Sequence, residues 1–298
     1  MTRRIPGQED GDAEPGLWAL VLAGGDGRRL RGLVRAVHGD ERPKQFAAPD
    51  GGHSLLTTTL ERAGRIAQPD RTVVMVRHEH GGYLADAVET WSDAHWLFQP
   101  AERGTAVAIL WGALWIAARD PGATVAILPS DHHLADEDTF ADHLLAVAAA
   151  VRPGETVLFG APADGPETGY GWIEVRAATL VRLVATTLPD VADVVTSFAA
   201  CPIPGGAFAQ AFHACRPADF SGEVLERLPG ALLVSPLPPV GWADWGTPAR
   251  VLRSLRDAGI RPAWAAGLGE PADEPAGRPT GPAFVGRTVG TGVRSGSG

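Results

Sequence analysis

The sequence predicts an α/β fold, a Rossmann-like, mostly parallel sheet flanked by helices. Three observations carry that prediction. Residues 18–22, 72–76, 94–98, 123–128 and 156–160 are short apolar runs of strand length. Between them lie segments with helical periodicity, long enough for crossover connections between parallel strands. The first run stops at a glycine-rich turn, the place where such sheets bind ligands.

In chain order, residues 1–15 are charged, Gly- and Pro-bearing and without apolar period, so they read as a disordered leader. The first strand ends at Leu22 and Ala23, followed by Gly24, Gly25 and Gly27. Glycine permits positive φ and close approach of main-chain N–H groups to an anion. Arg28 and Arg29 fall where a helix would start, adding cations to an end that already favours phosphate. Pro43 steers the chain out of helix, which puts Lys44 on an extended or turning segment. A helix is expected from Ser54, with Leu55, Leu56, Thr59, Ala63 and Ile66 on one face, and another over residues 80–91. Gln99-Pro100-Ala101-Glu102-Arg103-Gly104-Thr105 leads into a periodic helix whose apolar face is Ala106, Ile109, Leu110, Ala113, Leu114 and Ala117. A helix over residues 137–151 presents Phe140, Leu144, Val147 and Val151.

The alternation fails from Gly169. Residues 172–175 form a short strand in this reading, and residues 177–188, 205–215 and 220–228 form helices. Residues 231–237 make another strand. Thr247 and Pro248 cap a last helix whose face is Val251, Leu252 and Leu255, closed by Gly259. The domain therefore runs over residues 16–266, with halves of about 16–165 and 166–266, and residues 267–298 read as a disordered tail.

At 298 residues the chain can bury a substantial core. With 26 basic and 35 acidic residues its net charge is −9, which argues against a general nucleic-acid binder while allowing a local basic cluster for a small phosphorylated ligand. Neither a membrane-length apolar run nor a signal-peptide core is present, and Cys201 and Cys215 are too few for a disulfide framework. A cytoplasmic setting with reduced thiols is expected, and a homo-oligomer remains open.

Asp131 and Asp244 each stand at a strand or loop end. Paired carboxylates together with substrate phosphates are the usual way to hold Mg²⁺, although each alone also reads as a capping or turn residue. Arg29, Lys44 and Arg103 lie just after strands or turns, where surface arginines and lysines are also simply solvated. His78-Glu79-His80 lacks zincin spacing, and no Gly-x-Ser-x-Gly elbow is present. Asp131-His132-His133 resembles the tripeptide of the DHH metal phosphoesterases, an outside alternative because their other motifs are not apparent.

Six ordered segments together resemble the sugar-phosphate nucleotidyltransferases, in their mannose-1-phosphate guanylyltransferase branch. They are residues 22–30, 43–46, 99–106, 128–132, 168–174 and 241–246. The resemblance implies the nucleotide-diphospho-sugar transferase type of fold, with GTP and a sugar 1-phosphate as substrates and Mg²⁺ as cofactor. It implies that Leu22, Ala23, Gly24 and Gly25 line the guanine and ribose side, that Gln99, Gly104 and Thr105 help to read the base, and that Gly27, Arg28 and Arg103 also bind the nucleotide. Arg29 and Lys44 would neutralise the triphosphate, Asp131 and Asp244 would hold the metal, and Gly169 and Glu174 would border the sugar.

Two departures stand out. Arg28 occupies a position where the family has Thr. After Glu174 the family continues through Phe-x-Glu-Lys-Pro and Trp-Asn-Ser-Gly segments before a helix that begins like residues 176–180, whereas here Val175 runs straight into that helix. The sugar-binding part is thus shortened. The sequence supports a guanylyltransferase with Arg28 or Arg176 replacing the absent lysine, or a nucleotide-binding relative acting as a regulatory or assembly subunit.

Overall fold

The computed structural model describes residues 16–161, 173–199, 206–228, 232–267 and 287–288. Its centre is one sheet in the order β3-β2-β1-β4-β6-β5-β7-β8, made of β1 (Leu17–Leu22), β2 (Thr72–Arg77), β3 (His95–Gln99), β4 (Thr124–Pro129), β5 (Thr156–Gly160), β6 (Ile173–Arg176), β7 (Leu232–Pro236) and β8 (Arg287–Thr288). All pairings are parallel except those of β6, which runs antiparallel between β4 and β5. The two halves read from the sequence therefore share one sheet.

Strict alternation sends side chains to two apolar layers. Trp18, Leu20, Val73, Met75, Val125 and Ile127 face α4 (Gly104–Ala117), α6 (Ala177–Thr187), α7 (Pro189–Ala199) and α8 (Gly206–Ala214). Ala19, Val21, Val74, Val76, Ala126 and Leu128 face α2 (Leu55–Ile66), α3 (Ala85–Thr90) and α5 (Glu137–Ala148). A third, smaller core joins α1 (Arg31–His38) to α9 (Pro248–Asp257) through Leu30, Leu33, Val34, Trp245, Val251 and Leu255.

Several expectations need correction. The helix α4 is not amphipathic: Val107, Ala108 and Trp111 are buried as well as Ala106, Ile109, Leu110 and Ala113 of the expected stripe, because α6 and α7 cover its outer side. Residues 80–91 are not one helix. A 3₁₀ turn at His78–Tyr83 precedes α3, and Gly81-Gly82 weakens helical continuity there. The helix α7 was missed, since its valines read poorly as helix, and residues 220–228 hold only a π-helical turn at Ser221–Leu225. The expected leader and tail lie outside the described residues, except that Gly267 ends a 3₁₀ turn at Ala263–Gly267 and Arg287–Thr288 pairs with β7.

Candidate active site

The parallel strands β1 and β4 end side by side, with Leu22 opposite Pro129. The glycine turn leaves β1 and the Ser130-Asp131 turn leaves β4, so both open at one sheet edge. Ser130 ties the two together by donating from Oγ (2.7 Å) and N (3.1 Å) to the Leu22 carbonyl.

Lys44 brings the Asp131 and Asp244 segments to the glycine turn. Pro43 is extended and Lys44–Phe46 forms a 3₁₀ turn, which resolves the expected extended-or-turning segment. Gln45 donates from Nε2 to the carbonyls of Ala23 (2.9 Å) and Gly25 (2.8 Å), fixing the glycine turn. Gly27 has φ +59° and abuts Lys44, leaving no room for a Cβ. The Lys44 side chain then reaches Asp131 Oδ2 (3.3 Å) and the main-chain carbonyl of Asp244 (2.5 Å). Only 5% of Lys44 is exposed, and burial pushes its ammonium pKa down although Asp131 and Asp244 oppose the shift.

The carboxylates differ in setting. Asp131 is 45% exposed and keeps solvent access. Asp244 is 14% exposed, and its Oδ1 accepts from Arg250 Nη1 (2.8 Å) and the Gly246 N–H (3.1 Å). Burial would raise its pKa, but the bonds from Arg250 and Gly246 and the charges of Arg250 and Lys44 outweigh that and hold it below the ordinary value. An antiparallel bridge between His133 and Ala243 ties the two carboxylate segments together. His133 stacks on Trp245, whose φ of +45° places a buried, strained residue immediately after Asp244. Trp242 donates to His132 Nδ1 (3.3 Å), and burial pushes the His132 pKa down to about 4, leaving a neutral ring.

Arg28 and Arg29 sit in a 3₁₀ turn before α1 rather than in the helix itself. Arg28 is paired with Asp26 (2.7 Å), and Arg29 is exposed but close enough for its charge to act on Lys44. Asp26 also pairs with Arg77 (2.5 Å), which contacts Glu79 and Glu102. Asp26, Glu79 and His80 form a compact group of potential metal ligands, but both of its carboxylates are already ion-paired with Arg77.

Gln99 is buried beside Gly24, where a Cβ would stand 3.0 Å from Nε2. Residues 103–105 are engaged elsewhere. Arg103 donates to the His213 carbonyl (3.0 Å), and Thr105 Oγ1 bonds Asp219 (3.2 Å) and the Phe220 N–H (2.8 Å). Gly104, at φ +78°, lies under the Ala218 carbonyl, where a Cβ would stand 2.2 Å from the oxygen. The segment before Ser221 thus braces these three residues, while Thr105 stays exposed and Arg103 and Gly104 half-buried. Gly169 lies outside the described residues. The Glu174 main chain pairs with Ala126 and Val157 inside the sheet. Arg176 pairs with Thr124, at the end of β4 opposite Asp131, and donates to the Gly122 carbonyl, so it cannot serve this edge.

Sequence reasoning missed Gln45, Ser130, Arg77 and Arg250. Gln45 stood within the matched 43–46 segment, whereas nothing in the spacing of Arg250 from Asp244 marks it.

The family model of the nucleotidyl transferases matches residues 18–185. The xanthan biosynthesis protein XanB of Xanthomonas campestris pv. campestris is 35% identical over 162 residues, covering 54% of this chain and 34% of that protein. The mannose-1-phosphate guanylyltransferase of Escherichia coli is 33% identical over 165 residues, again 54% of this chain and 34% of the relative. The match thus takes in 34% of the length of each of these curated relatives. The crystal structure of mannose-1-phosphate geranyltransferase from Thermus thermophilus superposes with a TM-score of 0.64 at 24% identity, covering 79% of both chains. That likeness establishes the fold.

Proposed function

Since the chain belongs to the nucleotidyl transferase family, we propose that it joins GTP and mannose 1-phosphate, or a related sugar 1-phosphate, into a nucleotide sugar and pyrophosphate. The observation that carries this reading is Lys44, held against Gly27 and bonded to Asp131 and the Asp244 main chain at one sheet edge. Joining two polyanions needs alignment and charge compensation more than covalent help. In this reading the glycine turn cradles the triphosphate, Lys44 and Arg29 offset its charge, and the rigid Gln45 and Ser130 bonds keep the turn in place. A sugar-phosphate oxygen attacks the α-phosphorus and pyrophosphate leaves.

The donors present fit Mg²⁺. Asp131 and Asp244 are hard oxygen ligands, and the exposure of Asp131 leaves room for waters and phosphates to complete the shell. Those two carboxylates would hold the ion, which when bound supplies charge neutralisation at the α-phosphate.

A second reading, a nucleotide-binding subunit that does not transfer, is favoured by the direct run of β6 into α6 at Arg176-Ala177. Pyrophosphate release from GTP, Mg²⁺ and mannose 1-phosphate separates the two. Release dependent on the sugar phosphate supports transfer. GTP binding without release across a panel of hexose 1-phosphates would sink it.

A further inference from the structure

We propose that Arg250 binds the phosphate of the sugar 1-phosphate, exchanging its bond to Asp244 for the incoming anion. This rests on the transfer reaction proposed above and names the residue that would receive its second substrate.

The other cations of this edge lie on the glycine-turn side or beside the 213–220 segment. Lys44 and Arg29 flank Gly27, Arg28 is paired with Asp26, Arg77 with Asp26 and Glu79, and Arg103 with the His213 carbonyl. Arg250 alone of these lies across Asp244 from Lys44, and it continues a row of alternating charge: Asp131, Lys44, Asp244, Arg250. Its side chain is 31% exposed, so an anion can reach it without unfolding the site. A guanidinium fork suits phosphate at least as well as carboxylate, because both accept two parallel N–H bonds.

The backbone carrying Arg250 is fixed. Thr247 caps α9 by accepting from the Arg250 N–H, and Pro248 occupies the first turn. Val251 and Leu255 then pack α9 on Leu30, Leu33 and Val34, the segment directly after Arg28-Arg29. One small core therefore sets the spacing between the glycine turn and Arg250.

The experiment compares wild type, Arg250→Ala, Arg250→Lys and the exposed same-helix control Arg253→Ala. It measures mannose 1-phosphate binding by calorimetry, and steady-state kinetics with each substrate varied. Arg250→Ala should weaken mannose 1-phosphate binding and raise its KM by about tenfold or more, the loss of a charge-assisted bond. The KM for GTP should stay within about twofold, Arg250→Lys should recover part of the loss, and Arg253→Ala should match wild type. A fall in kcat with unchanged mannose 1-phosphate affinity would make Arg250 a holder of Asp244 and overturn the proposal. So would a wild-type protein that does not bind mannose 1-phosphate. Arg250-dependent binding without turnover would instead support the inference and overturn the transfer reaction.

Discussion

Gly27 lies so tightly against Lys44 that a Cβ there would stand 2.6 Å from Lys44 Cβ and 2.7 Å from its amide nitrogen. The turn that would cradle phosphate and the cation that would neutralise it are thus one packed unit.

Gly27→Ala should be damaging twice over, through its φ of +59° and through displacement of Lys44. Expected is a stability loss of about 1–3 kcal/mol with a larger proportional loss of nucleotide affinity. Gly32→Ala, in an α1 position with open space around it, should instead stabilise by about 0.5–1 kcal/mol. Denaturant melts and nucleotide titrations of both variants check this; an unperturbed Gly27→Ala protein refutes the packing argument.

Burial lowers the Lys44 pKa in the fold below the 10.5 of an ordinary lysine. The unfolded chain then holds that proton more tightly, so Lys44 subtracts stability at neutral pH. The penalty is relieved as pH rises through the folded pKa, and the relief is complete above the unfolded value. Lys44→Met should flatten this rise in a stability–pH series. Nucleotide binding by wild type should weaken on the same alkaline limb, and an unchanged slope in Lys44→Met would assign the limb elsewhere.

Asp244 has a depressed folded pKa, so its contribution is present above the ordinary carboxylate pKa and lost as pH falls through the folded value. Asp244→Asn should cost about 1 kcal/mol at neutral pH and remove that acid dependence. Asp131→Asn, which removes the carboxylate facing the buried Lys44, should also cost about 1 kcal/mol. Both should abolish Mg²⁺-dependent turnover, and full activity in either removes that residue from the proposed site.

Arg62 is completely buried, bidentate to Glu137 (2.7 Å to each oxygen), and donates to the His132 carbonyl next to Asp131. Arg62→Met should cost about 3–5 kcal/mol because Glu137 is left unpaired. Adding Glu137→Gln should cost less than the sum of the single changes. Additive thermal-melt effects would show that the pair is not coupled.

The layer order and the two edge turns were legible in the sequence because strand alternation and glycine turns are local. Residues 18–22, 72–76 and 123–128 each announce a buried strand whatever surrounds them, and the Thr247 cap and Pro248 announce α9. Local patterns failed where neighbours override them. The helix α4 looked one-sided until α6 and α7 covered it, and α7 was hidden by its valines.

The same division holds at the site. Residue order is enough to say which side chains could handle phosphate and that they fall at strand ends, because the chain's period fixes where strands stop. It took the folded chain to establish that Lys44 spans Asp131 and Asp244, that Arg103 and Thr105 are bonded to the 213–220 segment, and that Arg176 lies at the wrong end of the sheet while Arg250 meets Asp244. These relationships join residues far apart in the chain, and only burial and packing bring such groups within hydrogen-bond reach.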